Sequence, residues 1–199
     1  MRFQTLSVCC PCLVLFSAVA GCGSSEVETP PVPVASVPEV TQSSPQTKGS
    51  PPDASGWRVF DGIRFNIPKD WEEVEARMVD SKYAVQTADG RIEVTLTAMG
   101  GGIDANLNRW VKQMQQGPGD SVDEDVLTLD GVEAKLIDVR GTFSQVSSQN
   151  STSNSRLIGV ALPISPRDFY VKLTGPRDAV AAYHETFRAF LKTAEITHR

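Results

Sequence analysis

The chain has 199 residues, with 19 basic and 24 acidic side chains, a formal net charge of -5, and 40% hydrophobic against 22% charged residues. That length suits one ordinary domain with appendages and is too short for two large domains. The acidic balance excludes a surface built to neutralise backbone phosphates, so nucleic acid is not an expected partner, and no set of residues fixes a chemical activity.

The first 22 residues hold all four cysteines, Cys9, Cys10, Cys12 and Cys22. One positive charge, Arg2, precedes an apolar run from Leu6 to Ala20, and small residues then lead to Cys22. This is the pattern of an export signal over residues 1–21. The apolar run is shorter than the ~20 residues that a membrane-crossing helix needs, so a permanent transmembrane anchor is the weaker reading. Val19, Ala20, Gly21 and Cys22 resemble the bacterial lipobox. The resemblance implies cleavage before Cys22, a diacylglycerol thioether on its sulfur and a further acyl chain such as palmitate on its amine. Two or three chains hold a protein at a membrane where one does so only marginally. A cleaved secretory signal with an incidental cysteine is the alternative. Either cleavage removes Cys9, Cys10 and Cys12, which excludes an intramolecular disulfide.

Residues 22–56 form the next segment, with seven prolines, many Ser and Thr, and no aromatic residue after Cys22. Such a composition cannot bury enough apolar surface to offset the entropy of ordering, so it is expected to be a tether. As a coil it spans ~30 Å between its ends. The Val-Pro alternation over 32–38 also admits a recognition site for a proline-binding domain.

Residues 57–199 form the expected single globular domain, with net charge -3 from 17 basic and 20 acidic side chains. Strands are expected over 57–60 and 63–67, joined by the hairpin pair Asp61-Gly62. Pro68 ends the second. Strands over 71–78 and 82–87 follow, the latter joined through Asp89-Gly90 to 91–98, in which Ile92, Val94 and Leu96 face one way. Residues 103–116 have Leu107, Trp110, Val111 and Met114 at helical spacing, Asp104 as N-cap, and Gly117-Pro118-Gly119 as a stop. Strands over 122–129 and 132–143 flank an Asp130-Gly131 turn, and further strands are expected over 156–163 and 169–174. The half-serine stretch 144–155 between them has the composition of a long loop. From Pro176, the residues Val180, Tyr183, Phe187, Phe190, Leu191 and Ala194 form a second helical stripe. Hairpins of strands with only two helices predict an α+β fold, a central, mainly antiparallel sheet packed by two helices.

Phe65, Ile67, Pro68 and Trp71 match an F-x-I-P-x-x-W opening, although Asp70 stands where that opening often has Gly. This part of the chain resembles PsbP-like domains and the DcrB-like bacterial lipoproteins. The runs Gly100 to Asn106, Arg109-Trp110 and Lys172 to Pro176 are similar to signatures of an uncharacterised bacterial lipoprotein family. The resemblance implies a PsbP-like sandwich serving as an extracytoplasmic binding or accessory module. It carries no functional residue with it, because a shared fold does not fix a function.

Candidate sites are sparse. His184-Glu185 begins an H-E-x-x-H pattern, but its fifth position is Arg188, so the zinc site is broken. His198 lies near the terminus, and neither a G-x-S-x-G elbow nor a free thiol beyond Cys22 is present, so no catalytic residue and no cofactor is expected. Gly100 to Gly102 before a helix suits a turn better than a phosphate cradle, because the Asp104 carboxylate would compete for the helix N-terminal amides. Asp120, Asp123, Glu124 and Asp125 fit no calcium-loop spacing. Trp110 is expected in the core rather than as a sugar platform, and Asn150-Ser151-Thr152 fits the glycosylation pattern. Asn106, Arg109 and Gln113 share one helix face, and Lys172 lies near them if that helix covers the last strand. These four residues are the candidate ligand-binding patch. The expected role is that of a membrane-tethered, non-enzymatic binding or accessory module of the cell envelope, with a protein partner. A structural envelope protein and a carboxylate- or metal-dependent hydrolase are the alternatives.

Overall fold

The computed structural model describes residues 53, 55–144 and 151–197. The export signal, Cys22, all of the 22–56 segment except residues 53, 55 and 56, the centre of the serine-rich stretch and His198 lie outside the described residues.

Hydrogen bonding begins before residue 57. The Asp53 carboxylate accepts from the Ser55 and Trp57 amides, and Gly56 O accepts from the Ile67 amide. β1 (Trp57–Phe60) and β2 (Ile63–Asn66) form the expected hairpin, with Gly62 at φ 80°. β3 (Glu72–Val74) is short, and the run expected to Met78 does not form. Val74, Ala76 and Met78 alternate with Glu75 and Arg77, but Val74 already pairs with Lys82, so residues 75–80 form the connection to the next strand and leave Met78 fully exposed at φ 63°. β4 (Ser81–Thr87) and β5 (Gly90–Met99) pair antiparallel, and Ile92, Val94 and Leu96 all point into the core.

α1 (Ile103–Gln113) begins after Gly101 and Gly102, both in the left-handed region that favours glycine. Asp104 is not its cap: the N-cap is Gly102, with no side-chain cap, and the Asp104 carboxylate instead pairs with Lys135 at 2.7 Å. Nor does the helix reach residue 116. Met114 is extended and starts β6 (Met114–Gln115), which pairs with Thr142 and Phe143. The chain passes so close over Gly141 that a Cβ there would lie 2.6 Å from Gln115 O, and β8 and β9 change register at this point.

β7 (Val122–Leu129) and β8 (Val132–Ser144) meet at Asp130 and Gly131, both with positive φ as the Asp-Gly pair predicts. β9 (Ser151–Leu162) starts five residues earlier than expected. Ser151 and Thr152 pair with Ser144 and Phe143, so the polar run 151–155 extends a strand rather than a loop. β10 (Asp168–Pro176) leads into α2 (Arg177–Leu191), and β11 (Glu195–Ile196) closes on β2.

The fold is α+β. Every strand pair is antiparallel, and the larger sheet runs β3-β4-β5-β10-β9-β8-β6, with β7 also on β8. Alternation sends successive side chains to opposite faces. One face meets α2 and the small sheet β1-β2-β11, and its core holds Phe65 stacked on Phe169 and on Phe190 at 5.9 and 4.9 Å. The helix stripe supplies Val180, Tyr183, Phe187, Phe190 and Leu191 as expected. Each such side chain contributes ~1.5–3 kcal/mol by leaving water. Asp70 has a role in this core: its carboxylate accepts from Tyr183 OH at 3.0 Å, and that hydroxyl accepts from Trp71 Nε1 at 2.7 Å. The opposite face meets α1, whose Leu107 and Trp110, together with Met114 of β6, pack on Ile137, Val139, Leu157, Ala161 and Tyr170. α1 lies over β8 and β9, leaving the side chains of Thr95, Thr97 and Met99 on this face of β5 at the edge of a cleft.

Candidate functional site

The cleft follows from one row of residues across the larger sheet. Lys82, Thr95, Lys172 and Gly159 are successive cross-strand partners on β4, β5, β10 and β9. Gly159 presents no side chain, so the Trp110 ring of α1 settles over it. A Cβ at residue 159 would lie 2.6 Å from Trp110 Cε3. Tyr170 meets the indole edge-on at 5.7 Å. Lys172, next in the row, is left beside the indole with its Nζ 5.4 Å from the ring centroid, a cation–π contact. Trp110 is therefore both core, at 4% exposure, and cleft wall.

Beyond the indole opens a cavity of about 850 Å³, lined by Val79, Asp80, Thr95, Thr97, Met99, Arg109, Trp110, Gln113 and Lys172, with Met78 also on its lining. Its charges are unequally engaged. Asp80 is turned to the backbone, accepting from the Ala98 amide at 2.7 Å. Glu93, on the same face, pairs with Lys82 at 2.9 Å. Arg109 has a thioether as its neighbour, with Nη2 3.4 Å from Met99 Sδ. Among the described residues neither Arg109 nor Lys172 has a carboxylate in ion-pair range. Gln113 Oε1 is buried with no hydrogen-bond donor. Burial lowers the Lys172 ammonium from 10.5 to about 8; Arg109 and then Lys82 add to the effect, and Glu93 opposes it.

Of the four candidate patch residues, the structure brings Arg109, Gln113 and Lys172 to this cleft and places Asn106 elsewhere. Asn106 is 3% exposed, and its Nδ2 faces Gly100 O, Gly102 O and Tyr170 OH at 3.1, 3.0 and 2.8 Å. It stitches the glycine turn to the sheet and has no amide proton to offer a ligand. Its helix position alone suggested an exposed face, because the carbonyls that hold it come from the turn beneath. The cleft residues the sequence did not mark are Thr95, Thr97, Met99 and Asp80, which only the β5 register and the departure of 75–80 bring together.

The other sequence candidates are engaged elsewhere. Asp120 accepts from the Gly117 amide and from Arg177, which together hold its carboxyl below the usual range, and Asp123 is lowered likewise by Arg140 and Ser121. Asp125 accepts from the Val126 amide, and its other oxygen lies 3.9 Å from Arg188. Among the described residues no three His, Cys, Asp or Glu side chains converge on a common metal position. His184 lies 3.2 Å from Glu185 on α2. A second cavity of about 470 Å³ lies between α1 and the β7–β8 hairpin, lined by Asp104, Glu124, Asp125, Val126 and Lys135 among others. There Asp104 and Lys135 neutralise each other.

No protein-family model matches the chain, and no curated protein matches it. Among solved structures it is similar to cyanobacterial PsbP from Synechocystis sp. PCC 6803, at 12% identity over 82% of this chain and 99% of that one, with a TM-score of 0.46. It is also similar to LpqN, involved in cell envelope biogenesis of Mycobacterium tuberculosis, at 18% identity over 68% and 83% of the two chains, with a TM-score of 0.44. A Pseudomonas aeruginosa protein of unknown function matches at 14% identity over 65% and 88%, with a TM-score of 0.36. Each likeness is distant and assigns no activity to this chain.

Proposed function

We propose that the chain is an exported lipoprotein, held in the cell envelope by lipid on Cys22, whose globular domain is a non-enzymatic binding or accessory module that works through the Lys172 cleft. The observation carrying this reading is the cleft itself, where the half-buried Lys172 and the exposed Arg109, neither with a carboxylate in ion-pair range among the described residues, stand beside a buried aromatic wall. Burying a charge without a partner is costly unless something supplies the partner, so the arrangement suits a surface that receives a ligand or partner protein. Asp80 on the cleft wall and Glu93 on the same face of the sheet are engaged by a backbone amide and by Lys82, which does not suit the paired carboxylates of a hydrolase.

The test is crosslinking and recovery of the protein from native membranes, with its intact N-terminus analysed by mass spectrometry. The expected result is a chain beginning at an acylated Cys22, in the membrane fraction, with one stoichiometric ligand or partner crosslinked at the cleft. An unmodified chain beginning at Met1 in the soluble fraction would overturn the anchored half of the reading. Crosslinks confined to other faces would overturn the cleft half.

A further inference from the structure

The cleft's chemistry narrows what it receives, an inference that rests on the binding reading above. Three features bear on the choice. Two cations of different kinds, an ammonium and a planar guanidinium, border one cavity and lack carboxylate partners among the described residues. Between and below them the wall is apolar, formed by Trp110, Met99, Ala98 and Val79. The volume, about 850 Å³, suits an organic molecule and far exceeds what a bare inorganic anion fills. The hydroxyl side chains Thr95 and Thr97 and the unpartnered Gln113 Oε1 add places for a ligand's own polar groups.

We propose that the cleft binds an organic oxyanion, a carboxylate or phosphate on an apolar body, with the charge between Lys172 Nζ and the Arg109 guanidinium and the body against Trp110 and Met99. A guanidinium beside an ammonium accommodates either headgroup, the planar fork giving direction and the ammonium a point charge. The charged groups facing Lys172 are Arg109 from α1, Lys82 from β4 and Glu93 from β5, with Asp80 on the cavity wall. An arriving anion relieves the repulsion between Lys172 and the two other cations. Binding is strongest below pH 8 and weakens above it as Lys172 loses its proton, while Arg109 keeps its charge and retains part of the affinity.

The experiment is calorimetric titration of the full chain, in a non-ionic detergent, with benzoate, phenyl phosphate, benzamide and inorganic phosphate. Benzoate or phenyl phosphate is expected to bind at least about tenfold more tightly than benzamide and than inorganic phosphate. The preferred headgroup identifies the source chemistry. Between pH 7 and 9.5 the affinity should fall about tenfold. Lys172→Met and Arg109→Gln should each weaken binding about tenfold, and Arg109 is on the helix surface, where substitution leaves the fold intact. Binding of neither organic anion, equal binding of benzamide, tighter binding of inorganic phosphate, or unchanged affinity in both variants would overturn the proposal. Capture of a membrane ligand or partner that both variants leave intact would sink this anion site while sparing the binding-module reading.

Discussion

The Trp110 indole occupies the space where residue 159 would carry its Cβ: that atom would sit 2.6 Å from Trp110 Cε3 and 2.7 Å from Cζ3. Gly159→Ala must therefore displace a buried ring in a close-packed layer that also includes Tyr170 and Ile137. The expected cost is about 1–3 kcal/mol in urea unfolding. Near-ultraviolet circular dichroism should change with it, because the indole leaves its site. A variant as stable as the parent with the same spectrum would show that Trp110 does not rest on Gly159.

Lys172 makes folding less favourable at neutral pH. Its folded value of about 8 lies below the 10.5 of an exposed lysine, so the unfolded chain binds more protons across that interval. Stability then rises with pH from about 8 to 10.5, and the penalty is present in full below about 8. Lys172→Met should stabilise the protein by about 1–3 kcal/mol at pH 7, and the gain should shrink as the pH approaches 10. Denaturant melts at pH 7, 8.5 and 10 measure this. A gain independent of pH, or a loss at pH 7, contradicts it.

Asn106 has a structural task. Asn106→Ala removes three hydrogen bonds that join the glycine turn, α1 and Tyr170 OH, two of them to backbone carbonyls. The expected destabilisation is about 1–3 kcal/mol. Benzoate affinity of the folded variant should change less than twofold, in contrast to the Lys172 and Arg109 variants. A tenfold loss of affinity without loss of stability would return Asn106 to the ligand site.

On the α2 face, Asp138 and Arg156 form a buried pair, with Arg156 Nε 2.8 Å from Asp138 Oδ1 and Nη2 2.5 Å from Oδ2. Removing one partner leaves a charge without compensation. Asp138→Ala should cost about 3–5 kcal/mol. Arg77→Ala, which breaks the exposed pair with Glu75, should cost less than 1 kcal/mol. Comparable effects in guanidinium unfolding would show that the pair at Asp138 is solvated.

Much of the architecture is local and so was legible. Ile92, Val94 and Leu96 alternate, Asp130-Gly131 dictates its own turn, and the Val180 to Leu191 stripe needs only helical spacing. Elements decided by a distant partner were not. Met114 continues the spacing of Trp110 and Val111, yet it leaves the helix because β8 offers an edge at Thr142 and Phe143. Ser151 and Thr152 look like loop residues but gain strand partners in Ser144 and Phe143. β11 has two residues, and it is held by Arg64 and Ile63 and by the Asp130 carboxylate on the Ile196 amide. In the cleft, α1 lies over β8 and β9 rather than over the last long strand as expected, and Lys172 comes beside the helix from the adjacent β10 because Trp110 reaches across Gly159. The seat of Trp110 on Gly159 and the burial of Asn106 depend on cross-strand register, which no spacing within the helix encodes.

The most direct measurement is the titration of the Lys172 side chain in the full chain, followed by nuclear magnetic resonance of its Nζ and Cε, free and with saturating benzoate. The account predicts a midpoint near 8 in the free protein, with burial and the Arg109 and Lys82 charges as its cause, and a clear rise when benzoate binds. A midpoint at the ordinary 10.5 that benzoate leaves unmoved would contradict it.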